Sequence, residues 1–499
     1  MEDRRAGKIE LALLAVLAAF TVISGVFVVM QALTPQPIVL PGLVIDRLSA
    51  LITLLVAGVG TVSYRFALRY LDGEPGQRRL LRWFFVTVAA AYVLMPANNL
   101  LLLFGAWLVT SIGLHQLLTF YGDRREAHPP ARKKFLISRL GDVTLLAAIF
   151  LIAWQWGTLD LRAFLARVDE PTRWPLAAGA VAMLLVLTAL TKSAQFPFHS
   201  WLPETMESPT PVSALMHAGI INAGGVLLLH FATLLVRVPE ALFVLALAGT
   251  VTVTLGTITM WAQTTVKRTL AWSTVAQMGF MMVQIGLAVF PAAALHLVGH
   301  GCYKAWSFLR TGELPAPARP PVKLAPSRAL AVWLVGVVVA VPALALAATL
   351  TGFTPLHSPG ELTLSIVVAL AIGQLWVAWF QAAPTRRAAL TTALIALASS
   401  AVVALGAFTL YHGAAGYLAP VLGPLKAPSG PWAWAAAVLP VIALLALSLL
   451  ALLLPTLGRT AQGRAFYVHA LHGFYVGALA DRLVARIWSD RTMSGGAHV

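Results

Sequence analysis

Three ionisable residues recur at intervals of four in the segment ALHLVGHGCYKAW, namely His296, His300 and Lys304. In an α-helix each step of four residues advances about 400° around the axis and about 6 Å along it, so these side chains would form one stripe. Histidine changes its charge close to neutral pH, and water can bridge neighbouring groups of such a row. The spacing therefore predicts a proton relay. Two alternatives remain open: a metal held by the histidine pair, although no third ligand is nearby, and packing histidines that hydrogen bond across helices.

A lysine with apolar neighbours, Lys192, stands at the start of a proline-rich stretch. Pro197, Pro203, Pro209 and Pro211 follow it within 20 residues. Proline removes a backbone donor and clashes with the preceding turn, so the helix that carries Lys192 is expected to break before this stretch. Broken backbone at membrane depth requires cover from protein or from a wet cavity, and a charge there is costly. Lys192 is therefore a predicted ion-pathway residue; the alternative is that its side chain extends to the cytoplasmic headgroups.

Two further residues are candidates for the same pathway. Asp142 begins an apolar stretch beside Arg139, so it is either half of a local ion pair near the interface or the counter-charge to Lys192. His217 lies about a turn into the helix that follows the break, where a lone histidine is more often a hydrogen-bonded interior residue. The histidines His115 and His199 and the acids Glu204 and Glu207 have less certain roles. The two acids are expected to be half exposed.

The composition indicates which elements must position these residues. The chain has 499 residues, of which 59% are hydrophobic and 11% charged, and its mean hydropathy is +0.82. Soluble domains are about half apolar and about a quarter charged, and a membrane span needs roughly 20 apolar residues. The sequence therefore predicts an all-α polytopic membrane protein with about fourteen transmembrane helices. Their predicted ranges are 9–31, 43–70, 81–97, 99–121, 135–155, 174–194, 211–237, 241–262, 269–290, 292–310, 328–351, 361–383, 387–411 and 432–456.

The distribution of basic residues indicates the orientation in the membrane. Lys and Arg number 35 and Asp and Glu 19, a net charge of +16. Most basic residues fall in alternate loops, such as 65–82 and 124–134, whereas 31–42 and 352–360 contain none. Cytoplasmic loops carry an excess of Lys and Arg, so both termini are predicted to be cytoplasmic and the Asn98–Asn99 turn to lie outside. The basic surplus thus points to membrane orientation, not to nucleic-acid binding.

Several kinds of chemistry are excluded by what the sequence lacks. A single cysteine, Cys302, cannot form an internal disulfide, a Cys-rich zinc site or an iron–sulfur cluster held by this chain alone. Glycine-rich motifs for dinucleotides or ATP are absent from the sequence as well. No cofactor is expected in this chain, and energy must enter in some other form.

The segments KSAQFPFHSWLPETMESPTPVSALMHA and TTVKRTLAWSTVAQMGFMM, with the later H-x3-H-x3-K ladder, resemble one membrane family. This family comprises the antiporter-like large subunits of NADH:quinone oxidoreductase, multisubunit cation/proton antiporters and membrane hydrogenases. The resemblance covers about residues 43–310. It implies inverted repeats and proton-translocating roles for Lys192, His296, His300 and Lys304. On that basis the chain divides into N-terminal helices at 1–80, a first repeat at 81–240, a degenerate second repeat at 241–385, C-terminal helices at 386–456 and an amphipathic cytoplasmic-side tail at 457–499.

Departures from the family pattern indicate a specialised member. A glutamate normally follows the tryptophan that corresponds to Trp107, but Leu108 stands there. In the second repeat no charged residue follows Pro342, and Leu350 occupies the position where an ionisable group is expected. Lys192 has therefore lost its usual partner, and the exit half of the path is expected to be disabled. The aromatic and basic tail suits a membrane surface or a partner.

These departures, with ARKKFLISR, HAGIINAGG and YVHALHGFY, are similar to the membrane subunits of two-component inorganic carbon accumulation systems of the bacterial inner membrane. The resemblance implies a chain that conducts a cation, H⁺ or Na⁺, and thereby drives a large cytoplasmic zinc partner, itself similar to carbonic anhydrase, to convert CO2 to bicarbonate. Catalysis and zinc would then belong to the partner. The alternatives are a proton-translocating subunit of a redox or antiporter complex and a structural membrane anchor.

Overall fold

The computed structural model describes residues 7–34, 36–122, 128–169, 176–312, 324–382, 389–423 and 425–487. The structure is 83% helical, and ten helical segments of the described residues are long and apolar enough to cross a membrane. The predicted class, an all-α multi-pass membrane protein, is therefore confirmed. Some basic residues behind the predicted orientation, among them Arg4, Arg5, Arg124 and Arg386, lie outside the described residues.

The N-terminal part contains a small element that the hydropathy pattern does not reveal. Helix α1 (Lys8–Leu33) is followed by strands β1 (Ile38–Leu40) and β2 (Leu43–Ile45), which pair antiparallel with Leu40 opposite Leu43. The predicted helix at 43–70 begins only at Arg47, as α2 (Arg47–Tyr70). The Asp46 carboxylate accepts a hydrogen bond from the Ser49 backbone N–H, and this capping box sets the start.

The remaining helices follow the predicted order. In chain order they are α3 (Gln77–Leu94), α4 (Leu100–Leu118), α5 (His128–Trp156), α6 (Leu161–Asp169), α7 (Leu176–Lys192), α8 (Trp201–Glu204), α9 (Thr210–Ala218), α10 (Ala223–His230), α11 (Ala232–Leu235), α12 (Pro239–Ala262), α13 (Val266–Gly286), α14 (Phe290–Leu309), α15 (Pro326–Thr351), α16 (Pro359–Ala382), α17 (Ala389–Leu422), α18 (Pro431–Leu457), α19 (Ala461–Leu471) and α20 (Val476–Ile487). Four predicted spans coincide with α3, α7, α13 and α14, which fall outside the ten long apolar segments. The number fourteen therefore stays a prediction.

The chain is interrupted twice after α7. Helix α7 ends at Lys192, as predicted, and regular helix resumes properly only at Thr210. The prediction of one continuous helix at 211–237 is wrong, since a 3-10 turn at Ile220–Asn222 separates α9 from α10. There the Asn222 side chain donates to the Ala218 carbonyl oxygen, which competes with the regular helical bonding. Two breaks, not one, thus lie between Lys192 and the end of α10.

The predicted loop at 124–134 is wrong in its second half, where the structure has the start of α5. This helix begins at His128, so Lys133 and Lys134 belong to its second turn and are buried. Pro129 and Pro130 are compatible with a first helical turn, where the missing N–H groups have no intrahelical partner to lose. The two lysines are therefore positioned by a helix and not by a solvated loop.

The second half contains continuous helices and close contacts between small residues. Pro342 lies inside α15, which runs without interruption to Thr351, and Leu350 is exposed on its surface. Helices α12 and α13 approach so closely that a Cβ atom on Gly249 would lie 2.6 Å from the Gly279 carbonyl oxygen. Such close approach requires small residues at the interface of membrane helices.

Candidate functional site

The break after α7 positions Lys192 over an aromatic ring. The Lys192 Nζ atom lies 4.3 Å from the ring centroid of Trp107 on α4. No ion pair to Lys192 is formed among the described residues. A cation over the face of tryptophan is attracted by the ring quadrupole, and this attraction grows when water is excluded. Trp107 is buried, so its ring supplies part of the environment that a carboxylate would otherwise provide.

Asp142 is joined to Lys192 through the same tryptophan. The Trp107 indole N–H donates to Asp142 Oδ1 at 3.0 Å. Asp142 Oδ2 also lies 2.6 Å from the guanidinium of Arg139, one turn earlier on α5. The predicted local ion pair with Arg139 is therefore present. In addition, the Trp107 indole contacts the Asp142 carboxylate through its N–H and Lys192 through its ring face.

Leu108, which stands where the family resemblance predicts an acid, is half-buried and adjoins Trp107 on α4. The neighbouring Trp107 makes the contact with Lys192. The carboxylate nearest to this arrangement comes from another helix, α5, and belongs to Asp142. In place of the expected acid on α4, Asp142 and Lys192 thus contact the same aromatic side chain, Trp107.

Two buried lysines beside this cluster were missed by sequence reasoning, which placed them in a loop. Lys134 is 3% exposed, and its Nζ donates to the Ser111 carbonyl oxygen at 2.7 Å and to the Ser111 hydroxyl at 3.2 Å. Lys133 is fully buried, and its Nζ atom lies 2.7 Å from Glu204 Oε2 and 2.7 Å from Asp481 Oδ1. The double proline ahead of an apolar run is the signal that could have placed both lysines in a helix.

Lys133 connects the C-terminal tail to the break. Its Nζ contacts Glu204 of α8, Asp481 of α20 and, at 3.4 Å, the Gly477 carbonyl oxygen. Burial raises the pKa of the Glu204 carboxyl, and the Lys133 ammonium opposes that shift. Within the predicted tail at 457–499, α20 therefore contacts α5 and α8 through Asp481 and Gly477, while residues 488–499 lie outside the described part of the chain.

The predicted ladder on α14 has the expected shared face. The rings of His296 and His300 have centroids 5.9 Å apart, and His296 Nδ1 lies 2.8 Å from the Gln284 side-chain oxygen. Lys304 is fully buried, and its Nζ donates to the Leu270 carbonyl oxygen at 3.0 Å. The three side chains therefore form a row along α13, from the Gln284 side chain to the Leu270 carbonyl oxygen.

His217 joins this row from another helix. Its fully buried ring stacks on Phe308 of α14 with centroids 4.4 Å apart, and His217 lies beside His300. Helix α9 comes this close because α14 has a glycine at the crossing: a Cβ atom on Gly301 would lie 2.8 Å from the Ala218 carbonyl oxygen. His217, a candidate on weaker grounds from the sequence, thus lies within the ladder.

Several ring nitrogens in the ladder are buried without a protein partner. Both nitrogens of His217 and Nε2 of His300 form no hydrogen bond with the described residues. A buried polar atom without a partner is costly, so native proteins normally satisfy such atoms with ordered water. Within the described ranges no three His, Cys, Asp or Glu side chains are arranged to hold a metal. Bridging water is therefore the arrangement that suits these nitrogens.

The other candidate histidines, His115 and His199, contact aromatic rings that belong to neither cluster. His199 lies between the rings of Phe196 and Trp272, with centroid distances of 5.9 Å and 5.5 Å. His115 packs on Phe135 at 5.5 Å. Their surroundings are aromatic, as expected for interior histidines.

The region that holds both clusters matches a known family. The family model described as "NADH:quinone oxidoreductase/Mrp antiporter, TM" matches residues 97–360. These residues include Trp107, Asp142, Lys192, His217 and the α14 ladder. The chain belongs to this family of antiporter-like membrane subunits, whose members are transport or energy-coupling subunits of multi-subunit complexes.

Within the family, the chain is similar to subunits named for inorganic carbon transport. It is 35% identical over 463 residues to the "probable inorganic carbon transporter subunit DabB2" of Halothiobacillus neapolitanus, covering 90% of this chain and 80% of that protein. It is 40% identical over 270 residues to DabB of Hydrogenovibrio crunogenus, covering 54% and 52%. The NADH-quinone oxidoreductase subunit L of Mycobacterium tuberculosis is 35% identical over 276 residues, covering 55% and 43%. The chain thus spans about half the length or less of the latter two relatives.

Solved structures agree on the fold. A chain of the Mrp complex from Dietzia sp. aligns with a TM-score of 0.53 at 25% identity, covering 96% of this chain and 56% of that one. A chain of respiratory complex I from Thermus thermophilus aligns with the same TM-score of 0.53 at 20% identity, covering 93% and 94%. The second likeness concerns the fold alone.

Proposed function

We propose that this protein is the cation-conducting, energy-coupling subunit of a two-component inorganic carbon transport complex in the bacterial inner membrane. Two buried clusters carry this proposal: Lys192 with Trp107 and Asp142, and the ladder formed by His217, His296, His300 and Lys304. Intramembrane ionisable groups are costly, so their presence in one protein core favours an ion pathway. The similarity to subunits named for inorganic carbon transport supports the substrate class.

In this proposal the conducted ion is H⁺. The ladder combines histidines and a lysine with buried nitrogens that lack protein partners, which suits transfer between imidazoles and water more than the oxygen-rich coordination of a metal cation. We propose fourteen spans with both termini in the cytoplasm, so that the Lys133 side faces the cytoplasm. No catalytic residue is assigned to this chain; CO2 hydration is assigned to a DabA-like zinc partner on that side.

A second candidate is a proton-translocating subunit of a redox or antiporter complex. The family match and the similarity to subunit L favour it. Against it stand Leu108 in place of the acid and the uninterrupted α15, whose Leu350 is exposed on the helix surface. A chain that lacks these two ionisable groups suits dissipation of a gradient to drive a partner better than a complete pump.

Growth of a carbonic-anhydrase-deficient bacterium in ordinary air tests the proposal. Co-expression of the chain with a DabA-like subunit from the same genome is expected to restore growth, and Lys192→Ala or His300→Ala is expected to abolish it. His412→Ala is a matched control because His412 is exposed on α17, away from both clusters. Failure to rescue growth despite a purified complex contradicts the proposal. Rescue that survives both pathway variants identifies a structural anchor instead.

A further inference from the structure

A vestibule of about 320 Å³ opens at the end of the helix bundle opposite Lys133. Its wall includes Asn98, whose side chain donates to Asp160 just after the end of α5, whereas Lys133 lies near the start of that helix. Asp46, Arg162 and Thr233 also line it. The volume far exceeds the ~30 Å³ that a water molecule occupies in the liquid, so the vestibule can be filled with water.

One histidine lies at the inner end of this vestibule and belongs to neither cluster. His230, the last residue of α10, lines the vestibule and also a second, smaller void. Its Nε2 atom is shielded from solvent and forms no hydrogen bond with the described residues. Such an atom is costly unless water satisfies it.

The smaller void connects His230 with the Lys192 cluster. Its volume is about 10 Å³, at the lower limit of the ~10–15 Å³ needed for one water molecule, and its lining side chains are apolar except for His230 and Trp107. Both His230 and Trp107 line it. Because Lys192 Nζ lies over the Trp107 ring, the order from outside inward is vestibule, His230, void, Trp107 and Lys192.

We propose that His230 is a proton-transfer residue at the floor of an entrance vestibule and that it supplies protons to the Lys192 cluster. In each transfer the neutral imidazole takes a proton from hydronium in the vestibule, which becomes water, and then gives a proton to water in the void, which returns the ring to its neutral form. The hydronium formed in the void gives its proton to the unprotonated Lys192 amine and becomes water again. Asp46 is near enough to attract a protonated ring electrostatically, and Arg162 is the opposing charge on the vestibule wall. This inference rests on the proposed conduction of H⁺.

The first test is proton flux into liposomes that contain the full chain with its co-purified partner, measured with an internal pH dye under an imposed membrane potential. His230→Gln removes the titratable ring and is expected to lower flux by about 10²-fold, the lower end of what a positioned acid–base group contributes. His357→Gln is the matched control, since His357 lies beside a separate cavity with Ser429 and Trp434. Wild-type flux in His230→Gln overturns the inference.

The second test uses the single cysteine of the chain, Cys302. In a Cys302→Ser background, Thr233→Cys places a thiol in the vestibule, and a membrane-impermeant trimethylammonium methanethiosulfonate reagent is added from outside. Labelling is expected to block at least about nine-tenths of the flux, because an added fixed cation opposes proton entry. Ser429→Cys, exposed in the separate cavity, is expected to be labelled without loss of flux. A Thr233 thiol that is inaccessible, or labelled without effect, overturns the vestibule assignment.

The two proposals fail in different ways. If Lys192→Ala abolishes flux and His230→Gln does not, the entrance assignment is wrong and the proposed function stands. If the wild-type complex rescues growth but conducts no protons, H⁺ conduction and the entrance assignment fail together. If growth is not rescued but flux is present and depends on His230, the entrance stands and the role in carbon transport falls.

Discussion

The Nζ atom of Lys192 lies 4.3 Å from the centroid of the Trp107 ring, whose indole N–H donates to Asp142 Oδ1. The tryptophan therefore contacts a cation with its face and a carboxylate with its edge. This arrangement separates the Lys192 ammonium from the Asp142 carboxylate while Trp107 partly stabilises each of them. The guanidinium of Arg139, 2.6 Å from Asp142 Oδ2, also stabilises the carboxylate. Lys192 therefore has a carboxylate close by without a direct ion pair to it among the described residues.

Trp107→Phe tests the role of the indole edge. The variant keeps an aromatic face under Lys192 but removes the donor to Asp142, and loss of a hydrogen bond to a charged group costs about 1.5–3 kcal/mol. Growth rescue is expected to fall strongly, with a lowered melting temperature. Trp154→Phe is the control, because Trp154 is 76% exposed on α5. Full rescue by Trp107→Phe would show that the indole edge has no role in conduction.

Gly301→Ala tests whether the ladder depends on the approach of α9 to α14. A Cβ atom there would lie 2.8 Å from the Ala218 carbonyl oxygen, so the helices must separate, at a cost of about 1–3 kcal/mol. His217 would then move away from His300, and proton flux should fall. In Gly299→Ala the added Cβ meets nothing within 4 Å among the described residues, so flux and melting temperature should be kept. Equal behaviour of the two variants would contradict this prediction.

His217→Phe separates packing from titration. A phenyl ring can fill the same space against Phe308, and a swap of similar volume costs less than about 1.5 kcal/mol. The complex should therefore assemble with nearly unchanged melting temperature, but proton flux and growth rescue should be lost. His412→Phe, on the exposed side of α17, should change neither. Retained flux in His217→Phe would remove His217 from the pathway.

Lys133→Met tests the connection between the tail and the break. It leaves Glu204 and Asp481 without their shared cation, so α20 is expected to detach from α5 and become sensitive to protease. Asp481→Asn should have a smaller effect, at most about 1 kcal/mol, since Asp481 is half exposed. Arg486→Gln on the exposed side of α20 is the control. Limited proteolysis followed by mass spectrometry of residues 476–487 measures the result. Unchanged protection of α20 in Lys133→Met would show that its apolar contacts hold it in place.

Local sequence features predicted the membrane class and the position of several residues of the candidate site on their helices. The four-residue spacing of His296, His300 and Lys304 placed them on one face, because helical geometry depends only on position along the chain. The prolines after Lys192 predicted the end of α7 for the same local reason. The break within the predicted helix at 211–237 was missed, since glycines and an asparagine give a weaker signal than proline.

Contacts between distant parts of the chain were decided by tertiary structure. His217 reaches His300 because Gly301 lets α9 and α14 approach, and Trp107 meets Lys192 although about 85 residues separate them. Lys133 is buried because α5, α8 and α20 meet around it, which no local pattern indicates. The sequence by itself therefore determined the kinds of ionisable group and, except for Lys133 and Lys134, the helices that carry them. Helix packing decided which groups meet, since it brings together residues whose separation along the chain carries no geometric information.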